Sequence, residues 1–351
     1  MKLRSWITIG CTLASHLAFG YVYVPNKGEG SVSVINTSNN TIEATVFVET
    51  APQFGAKLPD GSKVYIPNVG SGTVSVIETS GNTVSATISV GTNPTFAVAT
   101  PDGSKVYVTN CMSASVSVID TATDTVTSTI TVGTIPEFAA VTPDGSKLYV
   151  PNVAENTVSV IDTATDTVTS TITVGAAPIF PVSLSDSSKV YVTNASDSTV
   201  SVIDTATDTV STTIYVGSSP IFATMASNKL YVANYASATM SVIDTATDTV
   251  STIIYLSSIS MYPTPMPDGS KIYVPNVSSA SVDVIETTGD TIATTISVGT
   301  SPTFGAVLAD GSYVYVTNDY DGSVSVIDTS TDTVSTTVSV GSNPAFALQA
   351  P

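Results

Sequence analysis

Along the chain, apolar and polar positions alternate with period two over short runs, and the runs recur. Segments such as Lys105–Asn110 (KVYVTN), Ser115–Thr121 (SVSVIDT) and Asp124–Val132 (DTVTSTITV) are rich in Val, Ile, Thr and Tyr. β-Branched and aromatic residues in alternation predict half-buried strands. Between them lie Pro-Asp-Gly-Ser and Asp-Thr-Ala-Thr-Asp, whose residues favour turns because they tolerate unusual dihedrals or hydrogen-bond their own backbone. No helical period is present beyond the first twenty residues. A Tyr-Val/Ile-X-Asn signature begins at Tyr23, Tyr65, Tyr107, Tyr149, Tyr191, Tyr231, Tyr273 and Tyr315, spaced by 42 residues except for 40 between Tyr191 and Tyr231.

Four short strands per unit of this length predict a propeller blade. The Pro-X-Phe-Ala segment supplies strand a, Lys-Val-Tyr-Val strand b, Val-Ser-Val-Ile strand c and Thr-Ile-Thr-Val strand d. From Tyr21 the chain opens on a strand b with no a before it, and it closes on Asn343–Leu348, an a with no b after it. The last strand is therefore expected to complete the first blade, which removes the open edges a broken ring would leave. The expectation is an all-β, eight-bladed β-propeller of four-stranded antiparallel blades, formed by residues 21–351 as one domain of about 42-residue repeats.

At Tyr107-Val-Thr-Asn110, Tyr191-Val-Thr-Asn194 and Tyr315-Val-Thr-Asn318 the chain resembles the YVTN-repeat family of β-propellers. That family occurs in archaeal surface-layer proteins and exported bacterial proteins, so the resemblance implies a surface-structural role. Related lactonase-like propellers usually have seven blades, which makes a seven-bladed ring the alternative.

Lys2 and Arg4 precede a mostly apolar run from Trp6 to Ala18, and Ala18-Phe19-Gly20 ends in small residues at the positions a signal peptidase reads. This predicts a secretory signal peptide over residues 1–20, cleavage before Tyr21, and export to the periplasm or cell surface. The run is too short to span a bilayer. An uncleaved signal-anchor and lipidation at Cys11 are the other readings, the latter disfavoured by Thr8 at the position where a Leu-like residue is usual. Cleavage would remove Trp6, His16, Arg4 and Cys11, the only Trp, His and Arg and one of two Cys. Eight lysines against 28 acids would leave a net charge of −20 and Cys111 as the one thiol, so no intrachain disulfide.

That composition excludes chemistry. Strong acidity opposes binding to nucleic acid or anionic lipid, which are held by Lys and Arg. Nucleophilic triads lack their imidazole, and a zinc site lacks several His or Cys. No cofactor and no metal are expected. The paired acids Asp120/Asp124, Asp162/Asp166, Asp204/Asp208, Asp244/Asp248 and Asp328/Asp332 in the c–d hairpins suit either a ring of calcium sites or side-chain bonds to turn amides. Their repetition, and their replacement by Asn36 and Asn82, favours the turn. Lys63, Lys105, Lys147, Lys189, Lys229 and Lys271 follow the a–b turns on the same face, where weak surface pairing is expected. A recurrent strand-a aromatic (Phe54, Phe96, Phe138, Phe180, Phe222, Tyr262, Phe304, Phe346) reads as packing between blades or, alternatively, as the lining of a ligand funnel.

The departures from consensus supply the candidate site. In Leu256–Met266 Ser257 replaces Gly and Ser260 replaces Pro, with Met261 and Tyr262 beside them; Tyr235 and Met240 lie in the preceding b–c loop region. Asn318–Ser323 is a short acidic, aromatic loop. Tyr235, Met240, Met261, Tyr262, Asp319, Tyr320 and Asp321 are thus the candidate binding residues for a protein or glycan partner. The outer d strands carry no Lys or Pro guard, which suits lateral self-association. The reading is a non-enzymatic interaction, adhesion or surface-structural module. The alternative is a lyase- or lactonase-like enzyme using carboxylate and Tyr groups in the central funnel.

Overall fold

The computed structural model describes residues 20–350. Residues 1–19 of the expected signal segment, Cys11 included, lie outside the described residues. Eight four-stranded antiparallel sheets form the ring. Typical is the third blade, built from Pro94–Ala99, Lys105–Asn110, Ser115–Asp120 and Thr125–Thr131 in order from axis to rim. The first blade draws Tyr21–Asn26, Ser31–Asn36 and Thr41–Phe47 from one end of the chain and Leu348–Ala350 from the other. Leu348, Gln349 and Ala350 pair with Tyr23, Val22 and Tyr21, so the ring closes with eight blades rather than seven.

Period-two alternation sorts the strands by depth. Second and third strands bury both faces, as in Lys105–Asn110, where every residue after Lys105 is buried. Outer strands expose alternate residues. Both-face burial arises because each blade is sandwiched between two others, and each of the eight interfaces holds one apolar cluster. Between the second and third blades, Tyr65, Val74, Val76 and Ile88 meet Val106, Val108 and Ile119. Each such side chain contributes about 1.5–3 kcal/mol when fully buried. In every blade the pairing of third and outer strands slips once, as between Val118 and Ile119, the kind of bulge that increases local twist.

The Asn that ends each signature is structural. Asn110 is fully buried, and its Nδ2 donates to Ser115 Oγ at 3.2 Å and Ser117 Oγ at 3.0 Å. A Cβ on Gly91 of the incoming loop would lie 2.6 Å from Asn110 Cγ, which is why glycine recurs there. The single 40-residue spacing also has a local cause. Ser227-Asn228 replaces the longer Pro-Asp-Gly-Ser turn, and both residues have positive φ (48° and 60°), the two-residue hairpin whose twist matches its strands.

Candidate functional site

The eight inner-strand aromatics meet at the axis. Phe138 lies edge-on to Phe54, Phe96, Phe180 and Phe222 with ring centroids 5.3–5.7 Å apart. Tyr262 stacks on Phe304 at 4.4 Å, and Phe304 contacts Phe346 at 4.3 Å. Edge-to-face packing at such distances adds about 0.5–1.5 kcal/mol per pair beyond burial. The rings form a plug around a small apolar cavity of about 160 Å³, packing on rings of neighbouring blades, and Phe96 also packs against the apolar cluster between the third and fourth blades.

On the turn face the lysines and aspartates do more than decorate the surface. Lys105 Nζ reaches Asp166 Oδ2 of the next blade at 2.8 Å, and Tyr107 Oη donates to Asp166 Oδ1 at 2.7 Å. The same clasp joins Lys63 and Tyr65 to Asp124, Lys147 and Tyr149 to Asp208, Lys189 and Tyr191 to Asp248, Lys229 and Tyr231 to Asp290, and Lys271 and Tyr273 to Asp332. Burial, and then the bonded aspartate, drives these tyrosine hydroxyls far above their usual range. Two interfaces differ. Tyr21 and Tyr313 stand where the others have Lys, and there Tyr23 donates to Asn82 and Tyr315 to Asn40. Wherever the cation is missing, so is the anion. Each of these Asp or Asn residues sits at φ between 49° and 55°, a left-handed conformation those two residues tolerate best after glycine.

The first acid of each hairpin behaves as the turn reading expects. Asp120 Oδ1 accepts from Thr123 N and Oγ1 at 2.9 and 2.8 Å, and these bonds hold its carboxyl below the usual range. The second acid is the clasp, a role that pairing across about sixty residues hides from local reading.

The sequence-selected binding residues are dispersed. Met240 is fully buried in the cluster between the sixth and seventh blades, outside any surface patch. Tyr262 belongs to the plug, where burial pushes its hydroxyl up to about 12. Tyr235 and Met261 are half-buried in loops on the opposite face; Tyr235 opens a short 3₁₀ turn, Tyr235–Ser237. Asp319 is half-buried, while Tyr320 is 81% exposed at the loop tip. Asp321 Oδ2 accepts from Thr300 N at 2.6 Å, as Glu155 and Asp197 do from Thr134 and Ala176, so its carboxylate fastens the loop that enters its blade from the preceding one.

The divergent stretch is compensated. At Ser257 the displaced glycine is matched by Asp283, which stands where the other third strands carry Ser. Asp283 is fully buried and accepts from Ser257 N at 2.8 Å, Ser257 Oγ at 2.6 Å and Thr295 Oγ1 at 2.7 Å. Two substitutions satisfying each other are a repacked junction rather than a degraded repeat.

Two groups near the axis were not among the sequence candidates. Glu137 precedes Phe138 on the loop side, and burial raises its carboxyl pKa. Lys57 lies on the turn side at the mouth of the channel, with its ammonium pKa lowered by burial. Comparing each residue three places after the inner aromatic would have exposed Lys57 as the one charged exception. Among the described residues, no three His, Cys, Asp or Glu side chains gather as a metal site, and no helix is long and apolar enough to cross a membrane.

No family model matches the chain, and no curated protein matches it. Solved structures share the fold. The dihydro-heme d1 dehydrogenase NirN, in complex with DHE, superposes with a TM-score of 0.80 at 16% identity, covering 93% of this chain and 74% of that one. AztD of Citrobacter koseri gives 0.71 at 13%, covering 95% and 98%. Hydrazine synthase of Kuenenia stuttgartiensis gives 0.63 at 20%, covering 93% and 100%. At these identities the likeness concerns the β-propeller fold alone.

Proposed function

We propose that this protein is an exported surface-structural module that associates laterally with its own copies through the propeller rim, in keeping with its resemblance to YVTN-repeat propellers. The observation that carries this reading is where the apolar side chains are left uncovered. At the axis the aromatics crowd around a small cavity, whereas Phe47, Tyr215 and Tyr255 project from outer strands at 78%, 82% and 79% exposure. Tyr215 and Tyr255 end the equivalent strands Thr209–Tyr215 and Thr249–Tyr255 of adjacent blades, and neither strand contains a charged residue. The acidic charge is concentrated in loops and hairpins of the two faces, so rim-to-rim contact brings little of it together. Outer edges without Lys or Pro, such as these two, are open to pairing, and exposed aromatics are what interfaces select.

The enzyme alternative draws less support. Tyr262, the candidate closest to the axis, is wedged against Phe304. A hydroxyl pushed up to about 12 is badly matched to acid–base work near neutrality. Sedimentation of the purified protein over a concentration series tests the proposal: self-association is expected, and a monomer at every concentration refutes it.

A further inference from the structure

A second feature lies on the axis, on the turn side of the plug, and stands apart from the rim. At the turn-side mouth of the channel an open concave space of about 400 Å³ is lined by Ala56, Lys57, Ala97, Val98, Val141 and Pro143 of three adjacent blades. At the position of Lys57 the other inner strands carry Ala99, Val141, Ser183, Met225, Pro265, Val307 and Gln349. Six of the other lysines engage an aspartate at 2.6–2.8 Å, and Lys27 is exposed on a loop. Lys57 is half-buried and has no carboxylate within 4 Å among the described residues. Its Nζ meets only the side-chain amide oxygen of Gln349, at 3.5 Å.

Burial disfavours the charged form of Lys57, which has no carboxylate beside it, and lowers its pKa; an anion arriving beside it relieves that penalty. Gln349 steadies the amine from one side and occupies at most one of its three donors. A single cation, no guanidinium and hydrocarbon walls match one negative charge attached to an apolar body. A phosphate would bring more charge and more acceptors than this mouth can satisfy.

We propose that the axial mouth is a binding site for a small monocarboxylate with a compact hydrocarbon body, anchored by Lys57. The probe is sodium hexanoate, titrated calorimetrically into the purified protein at neutral pH. Saturable binding with one site per chain is expected, at a Kd on the order of 1 mM. Lys57→Met should weaken it at least about tenfold, and neutral hexanamide should bind at least about tenfold more weakly than hexanoate. Lys27→Met, which removes an exposed charge elsewhere, should leave binding unchanged. Ala99→Trp fills the mouth while keeping the amine and should abolish binding, so the test survives if Lys57→Met fails to fold. Absence of saturable binding to the wild type overturns the proposal. So does equal binding by either mouth variant, or an equal loss on Lys27→Met. Because the readout concerns the axis and the wild-type monomer suffices, failure here leaves the rim reading intact, and the converse also holds.

Discussion

Replacing Asp166 by Asn removes the negative charge from one inter-blade clasp while keeping both an acceptor for Tyr107 and a residue at ease at φ 54°. The chain already contains this chemistry where Tyr23 meets Asn82 and Tyr315 meets Asn40, but there no lysine faces the amide. In Asp166→Asn, Lys105 would lose its carboxylate partner at 2.8 Å and keep only the Thr163 carbonyl at 2.7 Å. The side chains of Lys105 and Asp166 are 25% and 16% exposed, so the pair lies between a solvated ion pair, worth about 0.2–1 kcal/mol, and a buried charge-assisted bond, worth about 1.5–3 kcal/mol. A coupling of about 1–2 kcal/mol follows, discounted for that residual solvent screening. It is measured with a double-mutant cycle of Asp166→Asn and Lys105→Met in urea unfolding. Asp166→Ala should cost more, about 3–5 kcal/mol, because Tyr107 also loses its acceptor and alanine is strained at positive φ. A coupling within about 0.5 kcal/mol of zero, the usual additivity error, would refute the reasoning that charge matching governs these interfaces.

Phe138→Ala removes the ring that touches four others in the plug and should destabilise by about 3–5 kcal/mol, read from the shift in urea midpoint at unchanged slope. Asp283→Ser should be costly alone, by about 2–4 kcal/mol, because Ser257 N–H and Oγ lose their charged acceptor; adding Ser257→Gly restores the consensus junction and should recover most of that loss. Stability should also define a pH window. Tyrosines raised in the folded state contribute stability that is complete below their unfolded value of about 10 and lost as pH rises beyond it. Carboxyls such as Asp102, Asp144 and Asp162 are lowered by their hydrogen bonds, so their contribution is present above about 3.9 and lost as pH falls through the folded values. Thermal midpoints flat from pH 5 to 9 and falling on both sides are expected; a midpoint rising above pH 10 would contradict the tyrosine assignment.

Period-two alternation, the recurring Tyr signature and the split first blade make the ring and its closure by a C-terminal strand legible in the sequence, although that strand is Leu348–Ala350 rather than Asn343–Leu348, where before Leu348 only Pro344 bridges to Asn26. Local patterns identify local partners, and so Asp120 reads correctly as a turn acceptor. Asp166 does not, because its partners Lys105 and Tyr107 lie about sixty residues earlier and meet it only once blades are stacked. The same holds for Ser257 and Asp283, which look like separate lapses from consensus until the third strand and the incoming loop are seen to touch. Met240 illustrates the reverse: it stands where the other third strands carry Val, yet it is core, its larger side chain paired with Ala233 where the other second strands carry Pro or Thr. Lys57 was hidden because its significance lies in what its seven equivalents are not.

The rim reading is tested most directly by sedimentation velocity on the wild type beside the pair Tyr215→Ser/Tyr255→Ser, which copies the serines that end two other outer strands, Thr291–Ser297 and Thr333–Ser339. The predicted result is concentration-dependent association of the wild type and a monomeric variant with unchanged thermal midpoint. Identical sedimentation of the two proteins would contradict it.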